Sequence, residues 1–463
     1  MRIQSFINSQ FLSSGIITIK KNPFNLEDMH EVESCDLLQT VQAIQGAQKA
    51  FAEWKISTNA QRISLIENVI RVLSEKKSAF ASAEALDQGL PLTFTLSHNI
   101  EAAIHSFTSA KDQLSNYETN HQLQHSPTGT IAVIASWNCS LRVICERLAP
   151  AIAAGNSVII KVSSQSPITA FILSEVLIAA QIPQGLIQVL VSNDLDVKNL
   201  LVTHPGVKAI CFTGQLKNAA SILKKVSEQS FNQFKKVQLA TGSKNTAVSL
   251  TDPIDGQFNE IMESFMIGQG QLSWNSNRLF VIEKHEAAWQ QKIQDYFSTL
   301  QPATSINEGS NWGPCIKPES FTHFSEIESM AVNDQAKLIQ PSYRLSASQQ
   351  NCFLKPTFTK DMSNCSTLQQ DQVMAPLFIL SVVKYPFDIA KYSNVSYYGQ
   401  SAHIWGAEEK IEKIAEQLEV AHVFKNKWSV KHHEANKGVK QSAFGIQDYQ
   451  VFGDFFSNVK KLT

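Results

Sequence analysis

Between residues 130 and 212, short apolar runs alternate with segments in which apolar residues recur at helical spacing. The runs Ile131 to Ala135, Ser157 to Lys161, Leu186 to Val191 and Val207 to Phe212 are apolar along nearly their whole length, as strands covered on both faces must be. Helices are expected between them, from about Leu141 to Ala153, from about Ile168 to Ala180, and once more before Val207. Strand and helix in strict alternation predict a parallel, doubly wound sheet.

The flanks read differently. Residues 3 to 20 predict two short strands around the turn-like Asn8-Ser9 and Ser13-Ser14-Gly15, a small hairpin that ends before Asn22-Pro23. From about Leu37 to Ile104 the apolar positions, among them Val41, Ile44, Phe51, Trp54, Ile66, Val69 and Leu73, keep a helical period and predict a layer of helices. The stretch Leu114 to Thr128 is polar and predicts an excursion from the domain body. A second run of alternation, from Val248 through Pro386 to Trp405, predicts a second α/β domain, and Tyr449 to Val459 a closing strand that pairs with the excursion. No internal repeat or low-complexity tract occurs.

Composition narrows the class without naming it. The 463 residues leave room for two or three domains, and 43% hydrophobic against 17% charged residues is the balance of a chain that folds. Forty Lys and Arg against 41 Asp and Glu give a net charge of -1, without the basic excess that binding a phosphate backbone needs, so no nucleic-acid partner is expected. Seven cysteines at no zinc-like or framework-like spacing read as reduced thiols. With no apolar run of about 18 residues and a polar N-terminus, neither a membrane span nor a signal peptide is expected, and the expected location is cytoplasmic.

No Gly-x-Gly-x-x-Gly fingerprint or Walker loop is present, so a dinucleotide would need another device. A set of ordered motifs supplies one. Ser126-Pro127-x-Gly129, Ser136-Trp137-Asn138, Leu148-Ala149-Pro150 leading to Gly155-Asn156, Ile160-Lys161, His204-Pro205, Phe212-Thr213-Gly214, Gly268-Gln269, Arg278, Pro356-Thr357, Tyr398-Gly399 and Lys440-x-Ser442 stand in sequence along nearly the whole chain. In these motifs and their order the chain resembles the aldehyde dehydrogenase superfamily. The resemblance implies an aldehyde dehydrogenase-like α/β fold, two doubly wound domains plus a small β oligomerisation arm. It also implies a mechanism in which a cysteine thiolate attacks the aldehyde, an Asn amide and a backbone N–H hold the oxyanion, NAD(P) takes the hydride, and a glutamate activates water against the thioester.

Carried onto this chain residue by residue, the resemblance gives Asn138 as the oxyanion amide, with a turn-capping Asn as the competing reading. Counted back from Arg278, the Gly-Gln-x-Cys pattern places Ser273 where the cysteine stands, and no cysteine lies within thirty residues on either side. The family's Leu-Glu-Leu-Gly-Gly-Lys aligns with Leu239-Ala240-Thr241-Gly242-Ser243-Lys244, so the base position carries Ala240, which cannot accept a proton. Cys139, next to Asn138, is weighed as a relocated nucleophile against a small core residue. Among cofactor positions, Lys161 is retained at the adenosine ribose, Ser164 replaces an acidic residue, Gly214 is kept, Gln215 replaces a Ser, and Gln372 replaces the carboxylate that grips the nicotinamide ribose. The pair His432-His433 reads as a solvated loop, and no metal site is expected.

These observations predict a dinucleotide-binding domain at 1–108 and 128–240, a catalytic-type domain at 241–428, and an oligomerisation arm from 109–127 with 446–463. The expected assembly is a homodimer or homotetramer. Two functions stand against each other: a member that has lost aldehyde oxidation and acts as a binding or structural partner, of a neighbouring enzyme for instance, or an active NAD(P)-dependent oxidoreductase on an aldehyde or acyl substrate using Ser273 or Cys139. The cofactor, NAD or NADP, is expected to bind weakly or not at all.

Overall fold

The computed structural model describes residues 1–117, 123–229, 233–302, 306, 312–317, 319–428, 437–447 and 449–461. His432 and His433 lie outside the described residues. The architecture is α/β, built on two large sheets. In the first, the strands Lys236–Ala240, Val207–Thr213, Thr130–Ile134, Ser157–Val162 and Ile187–Val191 lie side by side and parallel. In Thr130–Ile134, Ser157–Val162 and Ile187–Val191 the runs of β-branched residues are buried along nearly their whole length, because helices cover both faces.

Chain order sets where this sheet can bind a ligand. From Thr130–Ile134 the chain moves outward through two strands, then returns to place Val207–Thr213 on the other side of its starting strand. The connections diverge at that junction, leaving a crevice at the carboxyl ends of the two strands. Asn138 and Gly214 follow those two ends.

The opening hairpin forms as expected, Ser5–Ile7 with Gln10–Leu12, its turn made by Asn8 and Ser9 at φ 51° and 64°. Helices Leu37–Trp54, Asn59–Glu75, Lys77–Gln88 and Glu101–Ser115 make the expected layer. The last of these runs seven residues beyond 108, with Ala110 and Leu114 buried in the first core. Before it, Thr95–Ile100 forms a π-helical turn.

The second sheet is parallel through Thr357–Lys360, Leu377–Val383, Ser276–Ile282, Asn245–Ser249, Ser401–Trp405 and His422–Lys425, with Lys337–Ile339 antiparallel at one edge. Residues 241–244 carry the chain directly from the first sheet into the second. Near the C-terminus the strand is Ser457–Lys461, paired antiparallel with Leu123–Pro127, rather than the expected 449–459. The apolar residues that suggested a longer strand, Val451, Phe455 and Phe456, are fully buried in the first core and plug it from a turn.

Candidate active site

Two tight turns face each other where the sheets meet. The first follows the strand Thr130–Ile134. Cys139 takes a left-handed conformation, φ 49°, which reverses the chain into the helix Ser140–Ala153. The Ser140 hydroxyl donates toward the carbonyls of Ser136 (2.7 Å) and Trp137 (2.9 Å), and the Cys139 N–H donates to the Gln88 side-chain oxygen at 2.8 Å. Below the turn, buried Glu84 accepts from the Leu141 N–H (3.3 Å), the Thr169 hydroxyl (2.7 Å) and the Asn99 amide, while buried Asp87 accepts from the Ile168 N–H (3.3 Å). Each carboxylate therefore meets the positive end of a helix. Burial nevertheless pushes both carboxyls up, to about 7.

This support fixes Asn138. Its amide is almost fully buried and donates to the Gln271 carbonyl at 2.8 Å, which leaves the second amide N–H without a hydrogen bond among the described residues. Gln271 stands two residues before Ser273, so the two predicted catalytic positions are brought together through that one bond.

The second turn carries Ser273. Gly268, Gln269 and Gly270 are all left-handed, with φ 61°, 55° and 68°, and fold the chain tightly before the strand Ser276–Ile282. A Cβ on Gly270 would stand 2.5 Å from the Ala375 carbonyl oxygen, so only glycine fits there. Asn275, fully buried, accepts from the Leu272 N–H at 2.8 Å and donates to the carbonyls of Ser264 and Ile267, both at 2.9 Å. The Ser273 carbonyl is taken by the Asn245 amide at 3.1 Å and by the Ser243 hydroxyl. The Ser273 side chain is half-buried. The Gly-Gln pair at motif spacing from it is Gly270-Gln271, two residues after the Gly268-Gln269 pair of the motif series.

Ala240 ends the strand Lys236–Ala240, half-buried, its carbonyl accepting from the Gly214 N–H at 3.0 Å. Its methyl offers no acceptor. Arg278 is wholly buried and donates to the carbonyls of Lys244 (2.9 Å), Ser393 (3.0 Å), Gln369 and Tyr392 (both 3.3 Å), a tie between segments. Cys139 is 0% exposed and packs in the second core, where burial raises its thiol far above the usual range.

Of the positions that the resemblance assigns to the cofactor, Lys161, Ser164, Gly214 and Gln215 lie at or just after the carboxyl ends of strands of the first sheet. Gly214 turns the chain from the strand Val207–Thr213 into the helix Leu216–Glu228, and Gln215, at its N-cap, makes no side-chain cap. The first-turn N–H groups and the helix dipole therefore face outward, an arrangement suited to an anion. Lys161, next to last in the strand Ser157–Val162 on the far side of Thr130–Ile134, is half-buried, with its amine pushed down to about 8 by burial and then by the charge of Lys198. Lys198 is 9% exposed on the helix Leu195–Thr203, and Lys225, on the helix packed beside it, depresses it further. Ser164 is held by Asn193, and Gln372 lies so close over Gly242 that a Cβ there would stand 2.3 Å from its amide oxygen. The residues fit the phosphates of a dinucleotide. At Gln372, where a ribose would be gripped, a neutral amide stands.

Several of these residues are missed by the motif reading. Lys198, Asn245, Glu84 and Gln88 act through partners distant in sequence, and Asn275 through backbone groups 3 to 11 residues away. Only the run Glu84-x-x-Asp87-Gln88, which sets two carboxylates and an amide at the end of the helix Lys77–Gln88, carries a local signal.

The two sheets define an α/β protein with a crevice at the carboxyl ends of the first sheet's strands, set against the turns that carry Asn138 and Ser273. The family model for the aldehyde dehydrogenase family matches residues 14–462, and the chain belongs to that family. It is 25% identical to the 2-aminomuconic semialdehyde dehydrogenases of Mus musculus and Homo sapiens, the alignments covering 100% of this chain and 98% of each relative. Among solved structures it superposes on an NADP-dependent enzyme of E. coli with a TM-score of 0.90 at 23% identity, covering 100% of this chain and 98% of that one. With the NAD+ complex of a Bacillus cereus aldehyde dehydrogenase the TM-score is 0.91 at 21% identity, covering 100% and 96%.

Among the described residues no group of three or more His, Cys, Asp or Glu is gathered as a metal site, and no helix is long and apolar enough to cross a membrane.

Proposed function

We propose that this family member keeps the frame for binding a carbonyl compound and a dinucleotide's phosphates but has given up aldehyde oxidation, and serves as a binding or structural partner. The observation that carries this reading is the pairing of Ser273 with Ala240. A serine hydroxyl is a poor nucleophile at neutral pH unless a base takes its proton, and the residue at the base position ends in a methyl group. The buried, proton-retaining thiol of Cys139 offers no substitute, because the thiolate is the reactive form. Dinucleotide binding is weak on this reading, with little preference between NAD and NADP, since Lys161 remains while Ser164 and Gln372 stand where carboxylates would act.

The proposed subunit has a dinucleotide domain at 1–108 and 128–240, a catalytic-type domain at 241–428 and an arm from 109–127 with 446–463. Among the described residues the two-stranded ribbon Leu123–Pro127 with Ser457–Lys461 leaves its outer strand edges unpaired, which supports assembly into a dimer or tetramer. The test of the functional reading is NAD(P)H absorbance with a panel of aldehydes, beside thermal stabilisation by each dinucleotide. The reading predicts small stabilisation without turnover, and turnover above about 1 per second would overturn it. Light scattering at micromolar concentration checks the assembly.

A further inference from the structure

Residues 312–316 form a loop wedged against both turns of the candidate site. Pro314 packs on Gly89, the residue after Gln88, so closely that a Cβ on Gly89 would stand 2.9 Å from the Pro314 ring. Toward the other turn, the Gln269 amide, in the orientation that satisfies both its ends, donates to the Pro314 carbonyl at 3.0 Å and accepts from the Gly313 N–H at 3.1 Å. The Ile316 N–H donates to the Gln271 side-chain oxygen at 3.4 Å. A constraint on this loop is therefore passed to the chain that leads into Ser273.

The far side of the loop meets residues 352–354. The Trp312 indole, fully buried, donates to the Leu354 carbonyl at 2.8 Å, and the Cys315 N–H donates to the Cys352 carbonyl, also at 2.8 Å. By standard bond lengths such a hydrogen bond holds the two Cα atoms roughly 5–6 Å apart, within the span of about 4.4–6.8 Å that a disulfide bridges. Both cysteines are buried, at 3% and 2% exposure, in adjoining apolar clusters of the second sheet. Burial raises the Cys315 thiol to about 12, the Leu354 N–H pulling it down and the charge of Cys352 pushing it further up, so the two sulfurs lie within electrostatic reach. Of the seven cysteines only Cys365 is exposed.

We propose that Cys315 and Cys352 are a redox-sensitive pair, which hydrogen peroxide joins as a disulfide that staples residues 312–316 to residues 352–354 and stiffens the turn before Ser273. One thiol, as its thiolate, attacks a peroxide oxygen and becomes a sulfenic acid, and the hydroxide released takes up the thiol proton as water. The second thiolate then displaces the sulfenic hydroxyl, the S–S bond forms, and a second water leaves. Two thiols have lost two electrons and two protons, and the peroxide has taken them up. Buried thiols that hold their protons react slowly, so the pair answers sustained rather than brief oxidation. The pair draws on neither Ser273 nor Ala240, so the proposal goes beyond the functional reading above and stands or falls apart from it.

The experiment exposes the reduced full-length protein to hydrogen peroxide, blocks the remaining thiols under denaturing conditions, and maps tryptic peptides without reduction. The expected product is a peptide pair joined through Cys315 and Cys352, two hydrogens lighter than the sum of its thiol forms and absent after dithiothreitol. Cys365→Ser should leave the link in place and Cys352→Ser should abolish it, and the wild-type map decides the question should the second variant fail to fold. Closing the loop from 315 to 352 should raise the melting temperature by a few degrees. Amide hydrogen exchange at residues 268–273 should slow by about tenfold on oxidation. Free thiols at both positions after Cys365 is fully oxidised, or either cysteine joined to a different one, would overturn the pairing. A link that leaves exchange at 268–273 unchanged would overturn its coupling to the turn.

Discussion

The two turns that meet at the candidate site are held in place to a similar degree and furnished very differently. The Asn138 turn rests on buried Gln88, Glu84 and Asn99, and the Ser273 turn on buried Asn275, Asn245 and Ser243. The first presents the Asn138 amide, which the proposed reading takes as the oxyanion donor. The second presents a hydroxyl, and the residue at the base position, Ala240, ends in a methyl. Geometry and reactivity are separable properties of a site: the bonds that shape the Ser273 turn run through backbone carbonyls and Asn side chains, so replacing a thiol and a carboxylate leaves them intact. On the proposed reading, the site has lost its chemistry and kept its form.

If that separation is real, chemistry can be put back into the form. Ser273→Cys alone should give at most an acylated protein that stalls, and Ala240→Glu alone should give nothing measurable. The pair together should be needed for turnover, because groups that act as a unit are not additive. A burst without turnover in stopped-flow NAD(P)H absorbance for the single variant, and steady turnover for the double, would bear this out, provided the dinucleotide binds. Steady turnover of the wild type that Ser273→Ala abolishes would instead assign a serine mechanism, and turnover abolished by Cys139→Ala would move the nucleophile there.

The converse manipulation removes the form. Asn275→Ala deletes an acceptor for the Leu272 N–H and a donor to two carbonyls, all buried. Leaving buried polar groups unpaired costs about 1–3 kcal/mol each, so a loss of roughly 3 kcal/mol is expected. Denaturant unfolding followed by the midpoint and slope measures it. Ser273→Ala, which leaves the carbonyl bonds in place, should shift stability by less than about 0.5 kcal/mol. Comparable losses from both substitutions would show that the Ser273 hydroxyl is itself part of the frame.

The same distinction explains what the sequence discloses. Parallel strands buried on both faces announce themselves as apolar runs, and the strands expected at 131–135, 157–161, 186–191 and 207–212 lie within a residue or so of their ends. Ser273 and Asn138 are legible because each sits in a local motif. Asn275, Asn245 and Gln88 are not, because a buried amide is recognisable only from the carbonyl or N–H it meets, and Gln88 meets its partner 51 residues away. The C-terminal strand is misplaced for a related reason. Val451, Phe455 and Phe456 carry a strand's residue types, yet their burial comes from a turn that closes the first core. Lys198 lies unseen in a helix whose pattern says nothing about the cleft it faces.

That lysine sets the finest of the expected effects. Lys161 at the crevice has its amine lowered to about 8, first by burial and then by Lys198. The ammonium form is the one that attracts a phosphate, and it dominates below pH 8. Between pH 7 and 9 the protonated fraction falls, so dinucleotide affinity should weaken by a few-fold as pH rises, whereas an unshifted lysine near 10.4 would leave it flat. Lys198→Ala removes the neighbouring charge and should move the Lys161 midpoint upward, carrying the affinity profile to higher pH. The same variant also deletes a cation from the crevice, so affinity at pH 7 should fall slightly. Calorimetric titration with NADP at pH 7, 8 and 9 on wild type, Lys161→Ala and Lys198→Ala separates the two effects. A wild-type profile that is flat across this range, or one identical to that of Lys161→Ala, would show that the phosphates are held by the helix N-terminus after Gly214 alone.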